Sequence, residues 1–176
     1  MGMTKEDRET YWSLSFDTYY KAYYQELASQ ALAARWERID VLTALLVAAT
    51  ASGSTLAGWA LWSDVGWKVV WAGIAAVATI TSILHGSLRV PSRLKEQEEL
   101  RREFSGLRVD LDTFRQFLRI PETEAPDHVK ENYERLRQRL GSLWGRARPD
   151  IAYTGRLRDA VQKQLDEVLK EQGAIQ

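Results

Sequence analysis

Cysteine is absent and histidine occurs twice, as His85 and His128. That excludes disulfides, thiol catalysis, cysteine-ligated metals and a histidine-rich metal centre. Chemistry must come from other groups, and they cluster in three places. Thr43, Thr50 and Ser54 lie near one face of a charge-free run, and Ala75, Ala78, Ser82 and His85 share a face of a second. An imidazole there has the chemistry of a proton-sensitive gate, or else simply marks an interface. Arg135, Arg137, Arg139, Arg146 and Arg148 form a basic run, ERLRQRLGSLWGRARP, suited to lipid phosphates, a nucleotide or nucleic acid. No glycine-rich phosphate loop accompanies it, and Glu131 and Glu134 sit nearby, so a solvated face with local ion pairs explains it as well. The third cluster is aromatic, with five of the seven tyrosines between Tyr11 and Tyr24. Neither a nucleophile elbow nor a phosphate-binding glycine motif occurs, and the carboxylates stand among cations without the spacing of a catalytic dyad. The sequence therefore predicts a protein that is not an enzyme and takes no cofactor.

The elements that carry these groups are set by charge. The 24 basic and 24 acidic residues cancel, but within 41–88 only Asp64 and Lys68 are charged. Residues 41–62, VLTALLVAATASGSTLAGWALW, form one charge-free run, and 69–88, VVWAGIAAVATITSILHGSL, form another. As a helix the first reaches roughly 33 Å, enough for a hydrocarbon core of ~30 Å. The intervening SDVGWK is a short polar turn of the kind that joins antiparallel helices. A buried hairpin in a soluble protein is the alternative, but two adjacent full-length apolar helices are unusual in a chain of 176 residues. Trp59, Trp62, Trp67 and Trp71 surround the turn as boundary residues do, and Lys68 is placed to snorkel. Lys21, Arg35 and Arg38 precede the first run, and Arg89, Arg93, Lys95, Arg101 and Arg102 follow the second. The positive-inside rule then puts both termini in the cytoplasm. The opening MGMTKEDRETYW is too acidic and polar for a cleaved signal.

A plain anchor needs only Leu, Ile and Val. Here Ala49, Gly53 and Ala57 recur every fourth residue, as do Ser54 and Gly58, and Ala78, Ser82 and Gly86 in the second run. That spacing lets helix backbones approach closely in lipid, where packing drives association. Such faces close the hairpin on itself, or they assemble copies into a homo-oligomer whose weakly polar faces line a poorly selective pore.

Outside the hairpin the helices are amphipathic. Thr4 caps the first, with Asp7 three residues on, and Trp12, Phe16, Tyr19, Tyr23 and Leu27 define one face. No breaker separates it from residue 41, so a single helix runs through. Its aromatic face packs on the later helices or is reserved for a partner. Pro91 marks a break or a first helical turn. Leu100, Phe104, Leu107, Leu111, Phe114 and Leu118 then form a heptad seam. Pro121 and Pro126 bound a loop, and Asp127 caps the next helix, whose seam is Val129, Tyr133, Leu136, Leu140 and Leu143. A last helix over 156–171 carries Leu157, Val161, Leu165 and Val168. These seams pair within a chain or between chains; periodicity does not distinguish the two. The expected architecture is all-α in three regions: an aromatic helix over 1–38, a two-transmembrane hairpin over 39–88, and a helical, coiled-coil-like region over 89–176.

This layout resembles the SLATT domains, small bacterial proteins with two transmembrane helices. The resemblance lies in the leading helix YWSLSFDTYYKAYYQELASQALAARWERID, the small-residue hairpin and the trailing amphipathic helices. It implies an effector of bacterial conflict and antiphage systems, lodged in the inner membrane and causing arrest or death of an infected cell. It also implies a cytoplasmic partner such as a nucleotidyltransferase, a reverse transcriptase or a nucleotide product. The family supplies no catalytic residues. The expected function is an oligomeric effector that breaches the bilayer when triggered. The alternative is a membrane scaffold, without a pore, that anchors or restrains a partner enzyme. A toxin's immunity partner is a third class, for which no residue argues.

Overall fold

The computed structural model describes residues 4–61, 65–120, 126–147 and 150–171, with side chains throughout except at 50–61, 65–68, 71, 126 and 127. All regular structure among them is helical: α1 (Lys5–Leu61), α2 (Val65–Leu88), α3 (Val90–Arg119), α4 (Pro126–Arg146) and α5 (Gly155–Glu171). The all-α class expected from periodicity is what the chain adopts.

Helix boundaries follow local chemistry. The Thr4 hydroxyl accepts from the Asp7 amide at 3.1 Å and donates to the Asp7 carboxylate at 2.6 Å, satisfying an amide that the helix start leaves open. Neither Gly nor Pro then occurs before Gly53, so nothing in the sequence interrupts α1 as it enters the apolar run. The break between α2 and α3 is one residue wide. Arg89 takes a left-handed backbone, φ 50°, and its amide bonds the Gly86 carbonyl at 3.1 Å. Pro91 follows in the first turn of α3, where a missing N–H costs no helix bond. Arg93 donates from Nε to the Leu88 carbonyl at 3.1 Å, closing the end of α2, and lays its guanidinium 5.5 Å from the centre of the Trp36 ring. Thr154 opens α5, its hydroxyl accepting from the Leu157 amide at 3.4 Å.

The chain divides into two compact units. One, the bundle, comprises residues 1–32 and 96–176. Its core joins four helical segments: Tyr19, Ala22 and Leu27 of α1, the α3 seam, Tyr133, Leu136 and Leu140 of α4, and Val161, Leu165 and Leu169 of α5. Phe104, Leu107 and Leu111 are fully buried. Each such side chain contributes on the order of 1.5–3 kcal/mol by leaving water. Tyr133 is the polar hub. Its ring meets Tyr11 edge-on at 5.8 Å, while its hydroxyl reaches Thr18 and the Leu14 carbonyl, each at 3.3 Å. Arginines fasten α1 to α3. Arg108 bonds Glu26 at 2.6 Å beneath the Tyr23 ring, and Arg115 lies among Trp12, Phe16 and Tyr19, 4.2 Å from the first. Stacking suits the planar, weakly hydrated guanidinium.

The other unit, the hairpin, comprises residues 33–95. Asp40 lies twenty-one residues before the end of α1, His85 twenty residues past the start of α2, and the two side chains meet at 2.8 Å. That pairing makes the two helices antiparallel. Trp36, Thr43, Ala78 and Val90 are buried in this unit. Among the described residues no single helix is long and apolar enough to cross a membrane. By length and composition a pair passes that test together, Ala72–Leu88 with Val90–Arg119, bent by 44° at Arg89.

Candidate functional site

The hairpin turns apolar side chains outward. On α2, Val69, Val77, Ile80 and Ile83 are between 55% and 70% exposed, and on α1 Leu42 and Leu45 exceed 60%. Exposed apolar side chains grouped in this way are uncommon on a monomer surrounded by water. The bundle behaves in the opposite way, keeping its heptad residues inside and leaving only scattered apolar side chains outside.

The small residues predicted for helix packing separate into two sets. Ala78 is 7% exposed and lies on the inner stripe of α2 with His85, which is half-buried. Ala75, Ser82 and Gly86 are exposed, and lie about 40–100° further round the helix at ~100° per residue. A Cβ placed on Gly86 or Gly73 meets nothing within 4 Å. The packing between α1 and α2 therefore does not require glycine at these positions. On α1, Thr43 is buried at 7% exposure. Thr50, Gly53, Ser54, Ala57 and Gly58, together with Trp59, Trp62, Trp67, Trp71, Lys68 and the expected cap Asp127, lie outside the residues whose side chains are described. The described threonine hydroxyls bond their own helices: Thr43 to Ile39, Thr79 to Ala75 and Thr81 to Val77, each at 2.8 Å to the carbonyl. Such back-bonding satisfies the hydroxyl without water.

The Asp40–His85 contact joins the two apolar helices through their polar side chains. The sequence singled out His85 alone. Asp40 stands immediately before the apolar run and reads locally as a flanking charge; the antiparallel register is what brings it to the imidazole.

The heptad seams close within one chain. Leu100, Phe104, Leu107, Leu111, Phe114 and Leu118 are all buried, as are Tyr133, Leu136 and Leu140, so none stands on a surface open to a second copy. The N-terminal aromatics complete this core, with Tyr19 buried and Tyr11, Trp12, Tyr20, Tyr23 and Tyr24 packed against it. Three arginines of the basic run have partners on the bundle surface, and Arg148 lies outside the described residues. Arg139 bonds Asp110, Arg146 bonds Glu103 at 2.6 Å, and Arg135 donates to Asn132 at 3.0 Å. Fewer guanidinium groups are then left for a phosphate backbone than the sequence suggests. Among the described residues no group of three or more acidic, histidine or cysteine side chains could hold a metal ion.

Two tyrosines tie α1 to the turn before α5, their hydroxyls bonded to each other: Tyr24 and Tyr153. Burial and that bond push the Tyr153 phenol well above its ordinary range. A phenol raised on folding stabilises the folded state while it keeps its proton, and that stability is lost as pH climbs past the unfolded value near 10. Thermal melting is therefore expected to fall between about pH 10 and 12. Tyr153→Phe should start with a lower melting temperature at pH 8 and show a flatter alkaline decline. A decline of unchanged steepness would assign the alkaline transition to other groups.

No family model matches the chain, and neither a curated protein nor a solved structure matches it.

Proposed function

We propose that the chain is a non-enzymatic membrane effector. Its hairpin crosses a bilayer twice with both termini on the cytoplasmic side, and copies associate through small-residue faces to permeabilise the membrane when triggered. The observation that carries this reading is the exposed apolar surface of α1 and α2, set against a bundle that buries its own. Lipid satisfies that surface where water does not. The exposed row Ala75, Ser82 and Gly86 offers a second copy close approach without disturbing the intrachain seam. On this reading, the resemblance of its layout to SLATT domains supports a role in bacterial antiphage defence, at the inner membrane, with arrest or death of the infected cell as outcome. A cytoplasmic nucleotidyltransferase, reverse transcriptase or its nucleotide product then supplies the trigger. That trigger must bind the open assembly more tightly than the closed one, since equal binding shifts nothing.

The test is leakage. Purified protein in liposomes loaded with a small dye should release it on activation, and triggered cells should lose membrane potential. Gly86→Leu and Ser82→Leu should abolish release and the oligomer seen by detergent-solubilised mass measurement, while the monomer still inserts. Toxicity with intact permeability would leave only the second reading, a scaffold without a pore that restrains a partner enzyme. One observation favours that alternative: the hydroxyls of Thr43, Thr79 and Thr81 already bond their own helices, leaving them less to offer water in a lumen.

A further inference from the structure

Between α3 and α4 the bundle carries a groove of about 520 Å³, lined by residues of those two helices alone. Arg139 bonds Asp110 at one end, and Phe117 stands 53% exposed towards the other. Phe114 and Leu136 supply a buried apolar part of the wall, and Asn132 and Arg135 add polar groups from α4. We propose that this groove is a binding site for a small aryl carboxylate, an acid with a single negative charge on an apolar ring.

The charges of the wall decide the sign and number of charges on the ligand. Arg139 is offset by Asp110, its bonded partner. Arg135 has no such offset: its guanidinium donates to the neutral Asn132 side chain at 3.0 Å, and among the described residues no carboxylate pairs with it. The groove thus holds one positive charge beyond its internal pair, which suits a monoanion. A phosphate dianion would set a second charge against the Asp110 carboxylate. The planar guanidinium fork matches the two oxygens of a carboxylate. The rest of the wall suits a ring. Phe117 offers its ring for an offset or edge-on contact, and a ring seated against Phe114 and Leu136 leaves water. The Asp110–Arg139 bond sets α3 and α4 antiparallel here, so Arg135, one turn before Arg139, lies one turn nearer Phe117. Charge and ring contacts then fall within reach of one small acid. Two groups orient a substituent on it. The Asn132 oxygen is taken by Arg135, which leaves its NH₂ to donate, and the Thr113 hydroxyl donates to the Val109 carbonyl at 2.9 Å, which leaves its oxygen to accept. The two side-chain bonds hold the wall in place before a ligand arrives, which lowers the ordering cost of binding.

Isothermal titration of the full chain in detergent micelles tests this, with phenylacetate as the probe and empty micelles as the blank. Phenylacetamide keeps the ring without the charge, acetate keeps the charge without the ring, and inorganic phosphate is the third comparison. Phenylacetate should bind saturably and phosphate not at all. The amide and acetate should each bind at least about tenfold more weakly, as expected when a charge-assisted hydrogen bond or the ring contact is lost. Arg135→Gln and Phe117→Ala should each weaken phenylacetate by about fivefold or more. Both positions are exposed, so circular dichroism should show unchanged helix content. Phe117→Tyr, which keeps a ring, should retain most of the affinity and guards against a variant that fails to fold. Arg137→Gln, on the same helix but outside the groove, should bind as the parent does. Absent saturation, equal binding of the amide or acetate, preference for phosphate, unchanged affinity in both Arg135→Gln and Phe117→Ala, or an equal loss in Arg137→Gln overturns the assignment. Binding here stands apart from the bilayer reading, because a chain that never permeabilises liposomes should still take up the acid.

Discussion

Phe104→Ala is expected to cost the bundle about 3–5 kcal/mol, the usual range for an aromatic removed from a closed core. Phe104 is 0% exposed in the middle of α3, with Leu100, Leu107 and Leu111 along the same seam. Total stability of a domain this size is on the order of 5–15 kcal/mol, so the variant should sit near the edge of unfolding. Urea titration of detergent-solubilised protein, followed by circular dichroism, reads the shift. Phe117→Ala, thirteen positions further along the same helix and 53% exposed, should stay within roughly 0.5 kcal/mol of the parent. The contrast also bears on assembly. If copies joined through this seam, Phe104→Ala would make stability depend steeply on protein concentration; a seam closed within one chain predicts no such dependence.

Val77→Arg should have the largest effect on the hairpin. Val77 lies at the middle of α2 and is 55% exposed. An arginine near the centre of a lipid-facing helix costs about 2.5–3.5 kcal/mol on insertion scales, enough to shift most of a marginal span out of the membrane. Cell fractionation after alkaline extraction should then move the variant from the membrane pellet towards the soluble or aggregated fraction. Val109→Arg makes the same substitution at an equally exposed position of the bundle and should leave the distribution unchanged. If the first variant partitions as the parent does and melts no lower, water surrounds α2 and the effector reading falls with it.

Much of the fold was legible because it depends on local rules. The run from Lys5 without Gly or Pro predicts an unbroken α1, Thr4 with Asp7 predicts its cap, and Pro91 predicts a break or a first helical turn, of which the structure shows the latter, one residue into α3. The seam at Leu100–Leu118 is legible from spacing alone. Its partner is not, because a heptad records which face is apolar and not what covers it. Tyr133 shows the difficulty. It reads as one more seam residue, yet it forms the hub where Tyr11, Thr18 and Phe114 meet. The candidate site divides in the same way. Small residues at every fourth position are visible in the sequence. The separation of Ala78 on the inner stripe from Ala75, Ser82 and Gly86 on the open side depends on how α2 is rotated against α1. Asp40 was missed for that reason: its meeting with His85 is a property of register across the hairpin. The groove lined by Thr113, Phe117, Asn132 and Arg135 left no sequence pattern, since the antiparallel register of α3 and α4 is what brings them together.

The left-handed turn at Arg89 has a consequence for how this chain tolerates change. A continuous helix would lock the azimuth of Ala78 and His85 to that of Leu100, since residue counting carries one stripe into the other. One positive torsion resets the count. The α2 stripe before it and the heptad after it therefore drift independently, so a residue gained or lost at position 89 should be absorbed far more readily than one placed within α3, where it would swing every later seam side chain by ~100°.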